Sequence, residues 1–303
     1  MKITILDGYS INPGDLNWKP IEELGELKYN DRCEQSKVAE TIGDSDAILV
    51  SKCKITDEVM AQCPNLKFIG VTATGYDNVD LVAARKRNIA VCNVPAYSTE
   101  SVTQHVFALL LEITNAVGGY NADIQKGRWY ESPDFTFYNE PLLQLNGKSL
   151  GIIGYGNIGK RVGQVAEALG MKVNVYSKDR EACMKSDVIT LHCPATPENK
   201  GFVNKEFISQ MKDGAILINA ARGALINDED LAEALKSGKL MGAAVDVLSA
   251  EPPKKPHPLI GLPNCFLTPH IAWTTKEARI VVIDTCAANL KSYINGERLN
   301  RVD

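Results

Sequence analysis

Leu150-Gly151-Ile152-Ile153-Gly154-Tyr155-Gly156-Asn157-Ile158-Gly159 decides how this chain is read. An apolar run enters a Gly-x-Gly-x-x-Gly turn. Behind the turn Val162, Val165, Ala166 and Leu169 recur at helical spacing until Gly170. Alone the turn is a weak signal; between a strand and a helix it is a dinucleotide-site fingerprint. Gly154 permits the tight turn, Gly156 lets the backbone approach a pyrophosphate, and Gly159 lets helix and strand pack closely. Free N–H groups at the helix start, at Asn157 and Ile158, would meet the anion.

The strand after this helix should end in an acid for the adenosine ribose, and it does not. Ser177 stands there, 18 residues beyond Gly159, and the run continues Lys178-Asp179-Arg180. A small hydroxyl among basic residues suits a 2′-phosphate and so favours NADP(H), while Asp179 keeps NAD(H) open.

Around this unit, short β-branched runs alternate with helical stretches. Ile3–Leu6, Ala47–Val50, Phe68–Val71 and Ile89–Cys92 occupy the first third. Leu150–Ile153, Val173–Tyr176, Val188–Leu191, Ile216–Asn219, Ala243–Val247 and Phe266–Thr268 follow. Alternation of this kind predicts α/β architecture with parallel sheets. Six strands in the later series match a doubly wound dinucleotide fold. Helices are expected over Ser98–Val117 and Lys276–Asn295. Gly118–Gly147 reads as irregular and aromatic, and Pro252–Pro258 as a stiff surface loop.

The 303 residues fit two domains at roughly 150 residues each. Hydrophobic residues at 45% and charged ones at 23% are ordinary for a soluble globular protein. A net charge of −4 lacks the basic footprint of a nucleic-acid binder. No apolar run is long enough to span a membrane, and the start is too soon charged for a signal peptide. The 8 cysteines form no Cys-x-x-Cys pair, so no metal site is expected, and a reducing cytoplasm fits best.

Redox chemistry on a carboxylic acid needs a cation for the carboxylate and an acid/base for the oxygen. Arg offers a bidentate fork, and His titrates near neutrality. Of 4 histidines, His105 reads as packed in a helix, His192 as a strand-end hydrogen-bonding group and His257 as solvated in the proline-rich loop. His270 follows the last strand, where ligands of doubly wound sheets sit. Arg222 follows the strand ending at Asn219, with Ala220 and Ala221 leaving room for a cofactor ring. Asp246 ends an apolar run and must find a partner. Cys193 and Pro194 close the strand before them and could line the cofactor site.

Gly154-x-Gly156-x-x-Gly159, Asn219-Ala220-Ala221-Arg222-Gly223, Ala244-Val245-Asp246-Val247, Glu251-Pro252 and Thr268-Pro269-His270 stand in one order. That order resembles the D-isomer-specific 2-hydroxyacid dehydrogenase family over nearly the whole chain. The resemblance implies a Rossmann domain, 99–274, inserted in a flavodoxin-like α/β substrate domain, 1–98 with 275–303. It implies hydride transfer between NAD(P)(H) and a small 2-oxo or 2-hydroxy acid. Arg222 would bind the substrate carboxylate and His270 would donate the proton. Glu251 would pair with His270 and favour its charged form, and Asp246 would hold the nicotinamide end. The cofactor set would also include Ser177, Lys178, Arg180, Cys193, Pro194, Ala220, Ala221 and Ala272.

Ala73–Asp80, Asn93–Thr99 and His270–Trp273 are similar to the glycerate dehydrogenase, or hydroxypyruvate reductase, branch. The substrate loop then maps to Thr74 and Gly75; Lys52, on the loop after another strand, is either a helper to it or a solvated side chain. A homodimer is implied, with the aromatic Trp129–Tyr138 segment and the Ser98–Val117 helix as its surfaces. Formate chemistry is disfavoured, because that branch places Gln where Glu251 stands. A phosphoglycerate dehydrogenase often carries a further domain, for which no room is expected after Asp303. The rival from another class is a dinucleotide-sensing co-repressor. One departure is expected to matter: only eight residues separate Lys178 from Asp187, where the family places a further strand and loop, on the order of 15–20 residues more.

Overall fold

The computed structural model describes residues 1–139, 141–253 and 256–303, so Lys254 and Lys255 of the proline-rich loop lie outside the described residues. The chain forms two compact units, one of Met1–Ser98 with Thr274–Asp303, the other of Thr99–Trp273.

The first unit holds five parallel strands: β1 (Lys2–Ile5), β2 (Glu26–Tyr29), β3 (Ala47–Val50), β4 (Phe68–Val71) and β5 (Ala90–Cys92). Their order is β2-β1-β3-β4-β5, the flavodoxin-like arrangement. β3, β4 and β5 are buried along their whole length, which explains their unbroken apolar runs. β2 was not expected. It is an edge strand, mostly exposed, and Glu26-Leu27-Lys28-Tyr29 carries no apolar run to betray it. The Lys276–Ile294 helix packs on β4, with Tyr293 against Phe68 at 5.3 Å between ring centroids. Arg279 ties that helix to the Ile11–Asp15 segment through two 2.7 Å bonds to Asp15 and one of 3.0 Å to the Ile11 carbonyl.

The second unit holds six parallel strands: β6 (Ser149–Ile153), β7 (Lys172–Val175), β8 (Val188–Leu191), β9 (Ala215–Asn219), β10 (Leu240–Val245) and β11 (Cys265–Leu267). Their order is β11-β10-β9-β8-β6-β7. Apolar cores cover both faces, one built on Ile189, Leu217 and Leu231, the other on Leu150, Val106 and Val162. The strand count meets the expectation, but the order differs from the six-strand plan in one respect. Among the described residues no strand lies outside β7, and the sixth is added beyond β10 as β11. The short segment after Lys178 is the cause. From β7 the chain turns through the five-residue Arg180–Met184 helix straight into β8.

The expected Ser98–Val117 helix runs Thr99–Asn115 and stops where Ala116 turns left-handed, at φ 49°. The segment read as irregular holds a further helix, Val117–Gln125, hidden from the sequence by Gly118-Gly119. Its continuation leaves Trp129, Tyr130, Phe135 and Tyr138 exposed. All eight cysteines are free thiols. Burial pushes Cys92 and Cys183 up to about 11 and Cys286 up to about 12, as expected of inert packed residues.

Candidate active site

At the carboxyl end of β6 the three motif glycines do three different things. Gly154 sits at φ 97°, and a Cβ there would come within 2.4 Å of the Cys193 nitrogen. A Cβ on Gly159 would come within 2.1 Å of the Gly154 carbonyl oxygen, so helix and turn touch backbone to backbone. A Cβ on Gly156 would meet nothing within 4 Å. That open space stands over the start of the Asn157–Ala168 helix, whose first turn holds neither an acid nor a side-chain cap. Gly156 and Asn157 are exposed and Ile158 half-buried. A cradle that any side chain at position 156 would fill, over uncapped N–H groups, fits a dinucleotide pyrophosphate.

Beyond β7, Ser177, Lys178, Asp179 and Arg180 are all exposed. Asp179 is committed elsewhere: its Oδ1 accepts the Ala182 N–H at 2.9 Å and caps the short helix. Lys178 Nζ lies 5.3 Å from the Tyr155 ring centroid, over the glycine turn, and Arg180 lies 5.7 Å from that of Tyr176. The acid that kept NAD(H) open is thus a helix cap, while the cations remain at the surface.

At the end of β8, His192 donates its backbone N–H to the Ile153 carbonyl at 2.7 Å, joining this strand end to the glycine turn. Its Nε2 lies 3.0 Å from Thr190 Oγ1, the hydrogen bond expected of it. Its Nδ1 is buried with no partner among the described residues, and burial pushes the ring down to about 3. Cys193 is half-buried, with its thiol pushed up by burial, and Pro194 is exposed.

Arg222 stands where β9 ends. The buried Asn219 staples this turn, accepting the Ala221 N–H at 3.0 Å and donating to the Arg222 carbonyl at 2.9 Å. Gly223 packs so tightly that a Cβ would lie 2.0 Å from Leu248 backbone atoms. Ala220 and Ala221 are half-buried; Arg222 is exposed, its Nη1 resting 2.8 Å from the Ala221 carbonyl.

The loops after β10 and β11 bring Glu251 and His270 together. Glu251 Oε2 lies 2.6 Å from His270 Nδ1, and Oε1 accepts the Leu248 N–H at 2.9 Å. With a carboxylate on Nδ1, the ring carries a proton there and Nε2 is the working nitrogen.

Asp246 is 1% exposed. Its Oδ1 accepts from Thr268 Oγ1 at 2.6 Å and the Ile271 N–H at 2.8 Å, and its Oδ2 from the Ala272 N–H at 2.9 Å. Its carbonyl accepts the His270 N–H at 2.7 Å. These contacts make Asp246 the clamp of the left-handed turn, φ 55°, that carries His270. Ala272 is buried behind it, its carbonyl taking the Ser101 hydroxyl at 2.6 Å. The Thr268 hydroxyl spends its one proton on Asp246, so His105, 3.0 Å away through Nε2, must be the donor to it. His257, read as solvated, is instead packed beside Asp228 at 3.0 Å with only 8% of its side chain exposed.

In the first unit Lys52, Thr74 and Gly75 lie on loops after β3 and β4. Asp7, an acid that sequence reading passed over, takes the N–H groups of Ser51, Lys52 and Cys53 at 2.7, 2.6 and 3.0 Å and so fixes the Lys52 loop. Its position directly behind the apolar β1 was the signal available. Thr74 is pinned through Oγ1 to the Val94 carbonyl at 2.8 Å. Among the described residues no cluster of His, Cys, Asp and Glu suits a metal, and no helix is long and apolar enough to cross a membrane.

Residues 107–272 match the family described as D-isomer specific 2-hydroxyacid dehydrogenase, NAD binding domain. The chain is 46% identical to a hydroxypyruvate reductase of Blautia hydrogenotrophica, over 100% of each chain. That alignment is 321 positions long for a chain of 303, so at 18 positions the relative has a residue and this chain has none. A glycerate dehydrogenase of Methylorubrum extorquens is 36% identical, over 100% of this chain and 99% of its own. Among solved structures, an acyclic imino acid reductase in complex with NADPH and D-Arg superposes with a TM-score of 0.87 at 31% identity, covering 100% of both chains. The chain belongs to the D-isomer specific 2-hydroxyacid dehydrogenase family, and its second unit is an NAD(P)-binding domain of that family.

Proposed function

We propose that this chain is an NAD(P)-dependent hydroxypyruvate/glyoxylate reductase that interconverts a small 2-oxo acid and its D-2-hydroxy acid. The observation that carries the reading is the His270–Glu251 pair, anchored at Leu248, on the same strand-end edge as Arg222. Similarity to hydroxypyruvate reductase and glycerate dehydrogenase supports the substrate class.

A nicotinamide dinucleotide, held by the Gly154–Gly159 turn and the helix start behind it, would supply the hydride. Arg222 offers its guanidinium fork to the substrate carboxylate. His270 holds a proton at Nε2 and delivers it to the substrate oxygen as reduction proceeds; in the reverse direction it takes that proton back. Glu251 keeps the ring oriented through Nδ1, and Asp246 holds the turn that carries it. In the first unit Lys52 and the backbone N–H groups of Thr74 and Gly75 are the candidates for carboxylate recognition, which supports reading 1–98 with 275–303 as the substrate domain. Residues 99–274 form the cofactor domain.

Ser177, Lys178 and Arg180, with Asp179 withdrawn as a helix cap, favour NADP(H) over NAD(H). The exposed Trp129, Tyr130, Phe135 and Tyr138 support a homodimer, which light scattering would contradict by a monomeric mass. The mild negative charge argues against a nucleic-acid partner, and the free thiols fit a reducing cytoplasm.

The test mixes purified protein with hydroxypyruvate or glyoxylate and either NADPH or NADH, and follows absorbance of the reduced nicotinamide. Turnover, faster with NADPH, is expected. No turnover with any small 2-oxo acid would overturn the reading and favour a dinucleotide-sensing binding module.

A further inference from the structure

Arg222, Glu251 and His270 belong to the half of the second unit built on β8, β9, β10 and β11, which would face the nicotinamide; β6 and β7 form the adenosine-side half. Arg222 and Glu251 stand on separate segments of that half, and the two segments meet twice. Asp228 follows Arg222 by six residues and opens the Asp228–Lys236 helix; His257 follows Glu251 by six. His257 Nε2 lies 3.0 Å from Asp228 Oδ2, and only 8% and 10% of the two side chains are exposed. His257 Nδ1 accepts the Leu259 N–H at 3.4 Å, which leaves the ring proton on Nε2 for the carboxylate. Leu259 itself is buried in the core.

The other junction lies on the near side of Glu251. A Cβ on Gly223 would come within 2.0 Å of the Leu248 backbone, and the Leu248 N–H holds Glu251 Oε1 at 2.9 Å. Between the junctions the Arg222 segment is stiff. Leu225 and Ile226 are buried, and Asn227 caps the helix by accepting the Asp230 N–H at 3.1 Å. The loop that carries Glu251 is therefore fixed to the Arg222 segment before Glu251 and again after it. A buried carboxylate and imidazole are a costly way to fill space, since two apolar side chains would hold the fold about as well. What their hydrogen bond adds is a direction and a fixed distance.

We propose that His257 and Asp228 are positioning residues of the acid–base site: their bond fixes the far end of the loop that carries Glu251, and so keeps that carboxylate on His270 Nδ1 while Arg222 holds the substrate. Their role rests on the reductase reading of Arg222, Glu251 and His270. Both act at one remove from the reacting atoms, through the 2.6 Å bond between Glu251 and His270. Displacing a catalytic group by about 1 Å can cost on the order of 10²-fold in rate.

The test replaces the pair in the whole protein by His257→Leu with Asp228→Leu and follows hydroxypyruvate reduction by NADPH. The thermal midpoint should stay within about 5 °C of the parent. NADPH affinity should hold within about twofold, while kcat falls by about 10- to 100-fold. A parental kcat would overturn the proposal, because the pair would then only fill space. His257→Gln is the rescue: its amide can still donate to Asp228, and kcat should return to within about threefold of the parent. A folded glutamine variant as slow as the leucine pair would overturn the proposal too. On a Glu251→Ala background the leucine pair should cost less than about twofold more, since no carboxylate is left to place. An undiminished loss there would mean a general disturbance and would also overturn it. Should the leucine pair fail to fold, Asp228→Asn decides, because it keeps the shape and trades a charge-assisted bond for a neutral one of about half the strength. A kcat lower by about threefold or more then supports the proposal, and a parental kcat overturns it. A parent inactive with every small 2-oxo acid would instead overturn the reductase reading, before any variant is compared.

Discussion

The two halves of the second unit differ in how much of their surroundings is built. On the nicotinamide side, the turns after β9 and β11 are held by buried side chains. Asn219 staples the Arg222 turn, and Asp246 clamps the His270 turn with three bonds from one carboxylate. On the adenosine side, β7 runs out at the sheet edge into four exposed residues, with Asp179 capping a five-residue helix. Chemistry demands placement to a fraction of an ångström, whereas anchoring a phosphate demands charge and N–H groups at a helix start. Shortening the adenosine half leaves the Arg222 and His270 turns intact.

Damage to the well-built half should cost the most. His270→Ala should lower turnover by at least about 10²-fold and up to 10⁴-fold, the usual worth of general acid–base catalysis. Near-normal activity would remove His270 from the site. Arg222→Ala should raise KM and lower kcat together, because the carboxylate fork acts in ground and transition states alike.

On the adenosine side the expected loss is confined to binding. Lys178→Ala with Arg180→Ala should weaken NADPH by about tenfold or more, since each charge-assisted bond is worth about 1.5–3 kcal/mol at best and these are exposed. NADH binding should barely move. Equal weakening of both cofactors would place the two cations on the shared pyrophosphate and not on a 2′-phosphate.

Much of this was legible in the residues. The buried strands announce themselves as apolar runs, and five motifs in one order mark the family. The strand-end Arg222 and His270 follow from where ligands bind in such sheets. What was not legible depends on backbone groups or on contacts between distant segments. β2 has no apolar run, because one-sided exposure at a sheet edge leaves polar residues there. That Asp246 clamps the His270 turn could not be read because its partners are mostly main-chain N–H groups, which every residue carries. The gap after Lys178 was visible as missing length, but only the strand order shows that it removed the outer strand and left β7 at the edge.

Asp246→Asn sharpens the same contrast. If the carboxylate serves the His270 turn, the variant should lose about tenfold in kcat, the order of one good hydrogen bond. NADPH affinity should hold within about threefold, as no cofactor contact is lost. A tenfold loss of affinity at unchanged kcat would instead put Asp246 against the nicotinamide.

The smallest effect lies at the seam between the halves. His192 ends the first strand of the complete half, and its N–H binds Ile153 of the shortened one. Its Nδ1 is sealed without a partner among the described residues, and burial pushes the ring from 6.5 down to about 3. Below about pH 6.5 the unfolded chain takes up a proton at this residue that the folded chain refuses. Stability is therefore unaffected by His192 above that pH and falls as the pH drops, by up to about 1.4 kcal/mol per unit, until the folded ring titrates near 3. A glutamine cannot titrate, so His192→Gln should lose about 1 kcal/mol less than the parent between about pH 7.5 and pH 6. Urea unfolding of both proteins at the two pH values reads the difference directly. Parallel losses would mean that the folded ring accepts its proton, and hence that water or a rearranged partner reaches Nδ1 at the seam.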